Sequence, residues 1–459
     1  MATAELAPLV RVGGLAEAVS GLVKALRADG LDVTVALPDY SAAALVGEKI
    51  FALEVPEWTG PARARVGHLE GFGEVALIDL PGIARSHPYM RPDGLFGWDD
   101  NDRRFTGFSI ACAALAVVIG ADVVHANDWH TAAIFAFLPP GVRTVFGVHN
   151  LAYQGECDAG WVDAFPNHGL AFLRSGRCNP MAGGVTVADR VVAVSPTYAK
   201  EITTVEHGAG LEDVLRARGP ALIGIRNGID VSEWDPMIDR HLASNYGVSD
   251  FGVANPATKA ANTTALRRRF NLEGGDGPLL GIVTRLVHQK GLDLVEGLAP
   301  YLASVDAQLV VLGSGDPPTA ARFRALAQGD PARVAFFEGY DIALSHQVFA
   351  GADLYLMPSR FEPCGLAQMQ AMAYGAIPIV TNVGGLHDTV IDADSQPASG
   401  NGFIARHLDG AGLVDAVHRG ARAWRERRRR AEIIRRGMRT DWSWTAPAKA
   451  YRAMYESLG

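Results

Sequence analysis

Cysteine is scarce in this chain. Its 459 residues include four, Cys112, Cys157, Cys178 and Cys364, and none form a C-x-x-C pair. That is too few for a disulfide framework and reads as a reduced, cytoplasmic protein. Long apolar runs are also missing. The longest uncharged stretch, Phe105 to Ala121, contains Thr106, Gly107 and Ser109 and reads as a buried helix, not a membrane span. No basic segment followed by an apolar one opens the chain, so nothing points to secretion. Positive charge is not in excess: 42 Lys and Arg against 50 Asp and Glu leave a net −8, which gives no reason to expect a nucleic-acid partner. A full dinucleotide fingerprint is absent as well, because Gly313-Ser-Gly315-Asp316 lacks its third glycine. His125 and His130 lie in no H-E-x-x-H pattern, so no metal is assigned.

What is present is an alternating α/β chain long enough for two or three domains, with an ordinary 48% hydrophobic content. A loop closing on Gly13-Gly14 leads into Leu15, Ala18, Val19, Leu22, Val23 and Leu26, the spacing of an amphipathic helix. Only five residues precede Leu6, so the strand expected before that loop is largely missing, and an internal start is the favoured explanation. Strands read at Leu31–Leu37, Val75–Ile78, Val123–Ala126, Thr144–Val148, Val191–Val194 and Ala221–Ile225. A second series reads at Leu279–Thr284, Gln308–Leu312, Val334–Phe337, Leu354–Met357 and Ile377–Thr381. The pattern predicts parallel, doubly wound sheets with ligands at the C-terminal strand ends. The organisation expected is a first domain over 1–240, a linker over 241–274, a second domain over 275–440 and a terminal helix over 441–459. A cleft between the domains is the expected ligand site. The arginine-rich run Arg422 to Arg439 reads as a solvated helix face.

The stretch that organises the chain is Met357-Pro-Ser-Arg-Phe-Glu-Pro-Cys-Gly-Leu366, a strand end, a turn and the start of a helix. Backbone amides at Cys364, Gly365 and Leu366 would face an anion, with the carboxylate of Glu362 beside them. An acceptor next to an anion site suits a sugar phosphate, whose hydroxyls need acceptors and whose phosphates need donors. Arg285 and Lys290, five residues apart at another strand end, could clamp a diphosphate leaving group or be ordinary surface cations. His149 and Asn150 could bond sugar hydroxyls or be structural. Asp128 could serve in acid–base chemistry or cap the helix that follows it.

In combination these motifs are recognisable. The chain resembles the bacterial glycogen synthase and plant starch synthase family of GT-B glycosyltransferases. The resemblance rests on Gly13-Gly14-Leu15, Asn127-Asp-Trp-His130, Val148-His-Asn-Leu-Ala-Tyr-Gln-Gly155, Val194-Ser-Pro-Thr-Tyr-Ala-Lys-Glu-Ile202 and Asn227-Gly-Ile-Asp230. It rests equally on Arg285 through Asp293, Pro358 through Leu366 and Gly384 through Val390, all in the family's order. It implies two Rossmann-like domains facing a deep cleft, with a last helix crossing back to the first. It further implies glucose transfer from ADP-glucose to the non-reducing end of an α-1,4-glucan, with retention and without metal or cofactor. By the same resemblance Arg285 and Lys290 stabilise the diphosphate, and Glu362, His149, Asn227 and the amides after Cys364 hold the glucose. Asp128 lies toward the acceptor, Gly13 and Gly14 approach the diphosphate, Tyr89 lines the cleft and Tyr340 stacks on adenine. Gly313 is placed among the donor-binding positions. The chain departs from the family at Arg11, where lysine is usual, at Ala367, where threonine is, and at Asn127, where histidine is common. A transferase using another sugar nucleotide such as UDP-glucose, and a glucan-binding protein without turnover, are the alternatives. Keeping Arg285, Lys290 and Glu362 together argues against the second.

Overall fold

The computed structural model describes residues 1–91, 96–252, 256–272 and 275–459. The linker expected over 241–274 includes 253–255 and 273–274, which lie outside the described residues. The chain packs as two units, Met1–Gly228 with Trp444–Gly459, and Ile229–Ser443.

The first unit carries strands β1 (Val35–Pro38), β2 (Val46–Leu53), β3 (Ala62–Leu69), β4 (Gly73–Asp79), β5 (Val123–Asn127) and β6 (Arg143–Val148). The two-residue strands β7 (Leu173–Arg174) and β8 (Arg177–Cys178), then β9 (Arg190–Ala193) and β10 (Leu222–Gly224), complete it. Two strand groups, β10-β9-β6-β5 and β1-β4-β3-β2, are joined by the first residues of the chain. Ala2 bridges Ala126 on one side and Ala36 on the other, both in parallel. The residues ahead of the glycine loop therefore supply a short central connection, although no strand is assigned to them.

The strand pattern departs from the purely parallel expectation at β2 and β3, which pair antiparallel with each other, as does β3 with β4. Their signal is weak for a physical reason. Most of β2 is solvent-exposed, with Val46 72% and Ile50 60% exposed beside Glu48 and Lys49, so no buried face imposes a period on its sequence. The strand expected over Leu31–Leu37 begins only at Val35.

The helix Gly14–Ala28 buries Leu15, Ala18, Val19, Leu22, Val23 and Leu26, as its spacing predicts. Ala18, Leu22 and Leu26 meet Trp444, Ala448, Tyr451, Met454 and Leu458 of the terminal segment in one apolar cluster with Val145 and Val192. Gly21 permits this contact, because a Cβ there would lie 2.0 Å from the Trp444 indole nitrogen.

The second unit holds one six-stranded parallel sheet in the order β13-β12-β11-β14-β15-β16. These are β11 (Leu279–Leu286), β12 (Gln308–Gly315), β13 (Val334–Glu338), β14 (Leu354–Met357), β15 (Ile377–Val380) and β16 (Phe403–Ile404). β14 and β15 are buried along their whole length, which explains their unbroken apolar runs. The helix Ala257–Arg269 was not legible in the sequence. Its exposed polar face dominates, and it is seated by Lys259, whose buried ammonium donates to the carbonyls of Ala350 (2.6 Å) and Ala352 (2.9 Å).

The unit division falls at Gly228/Ile229, ahead of residue 240, because the segment after Asp230 packs into the second unit. Asp239 Oδ2 accepts from the Tyr374 hydroxyl (2.6 Å) and lies 2.7 Å from His346 Nδ1, while Trp234 stacks on His346 at 4.1 Å. Asp239→Ala would leave two buried groups without an acceptor. Expected is a loss of about 2–4 kcal/mol in denaturant unfolding of this unit, with Asp239→Asn recovering part of it. An unchanged midpoint for the alanine variant would show that the cluster contributes nothing.

The solvated arginine face is only partly observed. Arg427 and Arg428 are exposed, but Arg429 pairs with Asp394 and Arg430 lies over Trp424 at 4.8 Å.

Candidate active site

The candidate residues divide between the units, and each set is built in its own. In the first unit, the glycine loop is held by a residue that sequence reasoning missed. Glu5 is 4% exposed. Its Oε2 accepts the amides of Val12 (2.7 Å) and Gly13 (2.8 Å), and its Oε1 accepts the Tyr89 hydroxyl (2.7 Å). One carboxylate thus ties together the loop, the first strand segment and the half-buried Tyr89. The only signal was a lone acid in the apolar stretch before the glycine pair. The Gly13 amide is occupied by Glu5, and a Cβ on Gly13 would meet no protein atom. Its φ of −148° suits any residue, so its own backbone does not demand glycine. Gly14 is the first residue of the helix. Arg11 sits near Glu17 at 3.9 Å, a loose, partly exposed contact.

Behind Tyr89, its ring stacks on His130 at 4.7 Å, and Phe105 meets His130 edge-on at 4.9 Å. Burial pulls the His130 pKa down to about 3, so this imidazole is neutral packing material.

Asp128 resolves the choice left open by its position. Its side chain makes no bond to the helix it precedes. Instead Oδ1 accepts the amides of His149 (2.7 Å) and Asn150 (3.3 Å), holding the loop after β6. Its backbone lies at φ 57°, a costly conformation for a non-glycine residue. Burial raises its pKa to about 7 against the opposing pull of the two amides. The folded state therefore binds more protons than the unfolded chain between the ordinary pKa of 3.8 and about 7. Through this group, stability falls as pH rises across that window and levels off above it. Asp128→Asn keeps an amide acceptor and cannot titrate. Its unfolding free energy relative to the parent should climb from pH 5 to pH 8, and a flat difference would refute the assignment.

His149 Nε2 lies 2.9 Å from Asn127 Oδ1, and Asn127 Nδ2 donates to Ala2 O (2.9 Å). With Asn127 presenting an oxygen, the His149 proton must sit on Nε2. Burial pulls its pKa to about 4, so the ring is neutral and Nδ1 is left as an acceptor. Asn150 uses its side-chain oxygen on the Ala152 amide (3.1 Å). Asn227 is 4% exposed, and its Oδ1 has no hydrogen-bond partner among the described residues, a buried acceptor that would suit a ligand hydroxyl.

In the second unit, Lys290 and Glu362 form a direct ion pair, Nζ to Oε2 at 2.5 Å, with side chains 16% and 6% exposed. The Ser359 hydroxyl donates to the same oxygen (2.9 Å). The sequence expectation gave these two residues separate ligands, and the structure joins them to each other. Arg285, near the end of β11, is half-buried, and its guanidinium has no hydrogen bond or ion pair to any described residue. Gly313 lies within β12, facing Thr284 and Leu286 of β11.

Cys364 is 4% exposed, Gly365 turns the chain at φ 72°, and Leu366 leads into the helix Ala367–Ala373. The helix Gly384–Thr389 packs tightly on this turn, since a Cβ at Gly385 would lie 2.0 Å from the Cys364 carbonyl oxygen. That close approach explains why two distant motifs share one place. Tyr340, after β13, presents a ring that is 66% exposed.

With this geometry in hand, comparison with known proteins is decisive. Residues 1–217 match the family described as the starch synthase catalytic domain, and residues 264–436 match glycosyl transferases group 1. A glycogen synthase of Halorhodospira halophila is 42% identical over all of this chain and 98% of its own length. The chain belongs to the glycogen and starch synthase family. A glycogen synthase of Gloeobacter violaceus is 40% identical over the whole chain and 98% of its own length. The catalytic domain of starch synthase IV from Arabidopsis thaliana, solved with ADP and acarbose, superimposes with a TM-score of 0.88 at 32% identity, covering 100% of this chain and 98% of that one. A sucrose-phosphate synthase from Thermosynechococcus elongatus shares the fold at a TM-score of 0.63 and 20% identity over 100% of this chain and 98% of its own. The fold is that of GT-B glycosyltransferases, and the activity is that of a glycogen or starch synthase. Among the described residues no helix is long and apolar enough to cross a membrane.

Proposed function

We propose that this chain transfers glucose from ADP-glucose to the non-reducing end of an α-1,4-glucan with retention of configuration. The observation that carries the reading is the Lys290–Glu362 ion pair after strand ends of the sheet in which Arg285, whose guanidinium has no partner among the described residues, also lies near a strand end. Together they place two cations and one carboxylate at strand ends of the same sheet. The bond that breaks joins the sugar C1 to a phosphate oxygen, and negative charge grows on the departing diphosphate. Arg285 meets that charge uncompensated, and Lys290 meets it while anchored by Glu362. Glu362 and the amides from Cys364 to Leu366 hold the glucose hydroxyls, Tyr340 stacks on adenine, and Gly13 and Gly14 leave room for the diphosphate. His149 Nδ1 and Asn227 Oδ1 accept from sugar hydroxyls, and Asp128 positions His149 and Asn150. Tyr89 contributes as the latch partner of Glu5. No side chain is assigned as a nucleophile. The acceptor hydroxyl attacks from the face the diphosphate leaves, and its proton passes to the departing phosphate oxygen.

The relative solved with ADP and acarbose binds a nucleotide and a glucan analogue, which supports glycogen as acceptor and ADP as leaving group here. The deciding experiment compares ADP-glucose with UDP-glucose on glycogen, scoring nucleoside diphosphate release and chain elongation. ADP-glucose preference supports the proposal. Turnover of UDP-glucose alone reassigns the donor, and release from neither removes the catalytic reading.

A further inference from the structure

Two of the chain's four cysteines face each other outside the residues described above. Cys157 and Cys178 form an isolated antiparallel bridge, and the Cys157 amide donates to the Cys178 carbonyl at 2.9 Å. Directly opposed residues that share main-chain bonds in an antiparallel pair have Cα atoms about 5.5 Å apart. Disulfides span roughly 4.4–6.8 Å between Cα atoms, so directly opposed positions of this kind fall within their reach. Both side chains lie in one apolar cluster with Phe165 and Phe172, Cys157 being 8% exposed and Cys178 fully buried. Cys112 and Cys364 are buried elsewhere, and all four cysteines are free.

We propose that Cys157 and Cys178 are a peroxide-reactive dithiol that closes to a disulfide. Either sulfur, once deprotonated, can begin the reaction. The thiolate attacks one oxygen of hydrogen peroxide. The O–O bond breaks, the sulfur becomes a sulfenic acid, and the departing hydroxide takes up a proton to leave as water. The other cysteine sulfur then attacks that sulfenic sulfur, its own proton leaving with the displaced hydroxide as a second water. Two thiols and one peroxide give one disulfide and two waters. A small cavity lined by Asp102, Phe105, Trp129, Gly155 and Pro180 lies against Cys157.

The bond would reinforce contacts already made between the same segments. Asn179 Nδ2 donates to Gln154 Oε1 (2.7 Å), and the Met181 amide donates to Gln154 O (3.2 Å). Gln154 lies on the loop that begins with His149 and Asn150. Oxidation therefore fastens the far end of that loop to the segment before the helix Pro180–Val187.

The test exposes the full-length folded protein to hydrogen peroxide, blocks remaining thiols and maps tryptic peptides by mass spectrometry. Arg174 and Arg177 separate the two cysteines, so a disulfide appears as a linked peptide pair that dithiothreitol separates. Expected is that this link dominates over any involving Cys112 or Cys364. The Tm should rise by roughly 5–10 °C, as a cross-link over a loop of this size predicts, and fall again on reduction. The Cys157→Ser protein should show neither effect. Free or over-oxidised Cys157 and Cys178 without a linked pair, or preferential linkage to Cys112 or Cys364, would overturn the proposal. The mapping needs no variant, so it stands even if Cys178→Ser fails to fold.

Discussion

Replacing Lys290 with alanine is expected to lower glucosyl transfer by at least about a hundredfold, equivalent to about 2.7 kcal/mol of transition-state stabilisation. Glu362→Ala should cost as much or more. Each variant removes one member of a pair whose oxygen and nitrogen lie 2.5 Å apart and leaves the other charge largely buried and unmatched. The two losses are therefore not independent. In the double variant neither charge is stranded, so unfolding by denaturant should cost less than the sum of the single effects. Activity should stay low in all three, because each lacks at least one of the two groups proposed to hold the diphosphate and the sugar. The checks are initial rates of nucleoside diphosphate release at saturating glycogen, with far-UV circular dichroism to show that each protein is folded. Near-normal turnover by folded Lys290→Ala would remove that residue from the chemistry. Strict additivity of the stability losses would instead argue that the ion pair is energetically unimportant.

Glu5→Ala should be the most damaging single change in the first unit outside the proposed sugar contacts. Three donors lose their acceptor together: the amides of Val12 and Gly13 and the hydroxyl of Tyr89. Hydrogen bonds to a charged acceptor contribute about 1.5–3 kcal/mol each, and the three share one anchor, so a combined loss of about 3–5 kcal/mol is expected. For a unit of this size that is a fall in Tm of roughly 6–20 °C. Below the new midpoint the loop should also be looser, so KM for the nucleotide sugar should rise more than kcat falls. Tyr89→Phe serves as the comparison. It removes one of the three bonds, leaves the loop amides in place and should produce only a minor part of the effect. A Glu5→Ala protein with parental Tm and KM would show that the glycine loop holds its shape without this carboxylate.

Much of the fold was legible because burial leaves a strong mark. The strands of the second sheet are built around apolar runs, and β14 and β15 are buried along their whole length. The first helix showed its six-residue apolar stripe directly. β2 and the helix Ala257–Arg269 left almost no mark, since most of β2 faces solvent and that helix carries few apolar side chains. The candidate site is legible in a different sense. Residue types and their order pointed to Arg285, Lys290, Glu362, His149 and Asn227, but not to how they are held.

Sequence alone determined the α/β class, the family and the residues that could carry sugar-phosphate chemistry. Those depend on local periodicity and on motif spacing within single loops. Only the tertiary structure decided that Lys290 pairs with Glu362 across 72 positions, that Glu5 reaches Tyr89 across 84, and that Asp128 grips a loop instead of capping its helix. It also decided that His130 is packing and that Cys157 faces Cys178. The reason is physical. A buried charge or polar group must find its partner wherever the folded chain brings one, and that partner leaves no periodic trace in the sequence between them.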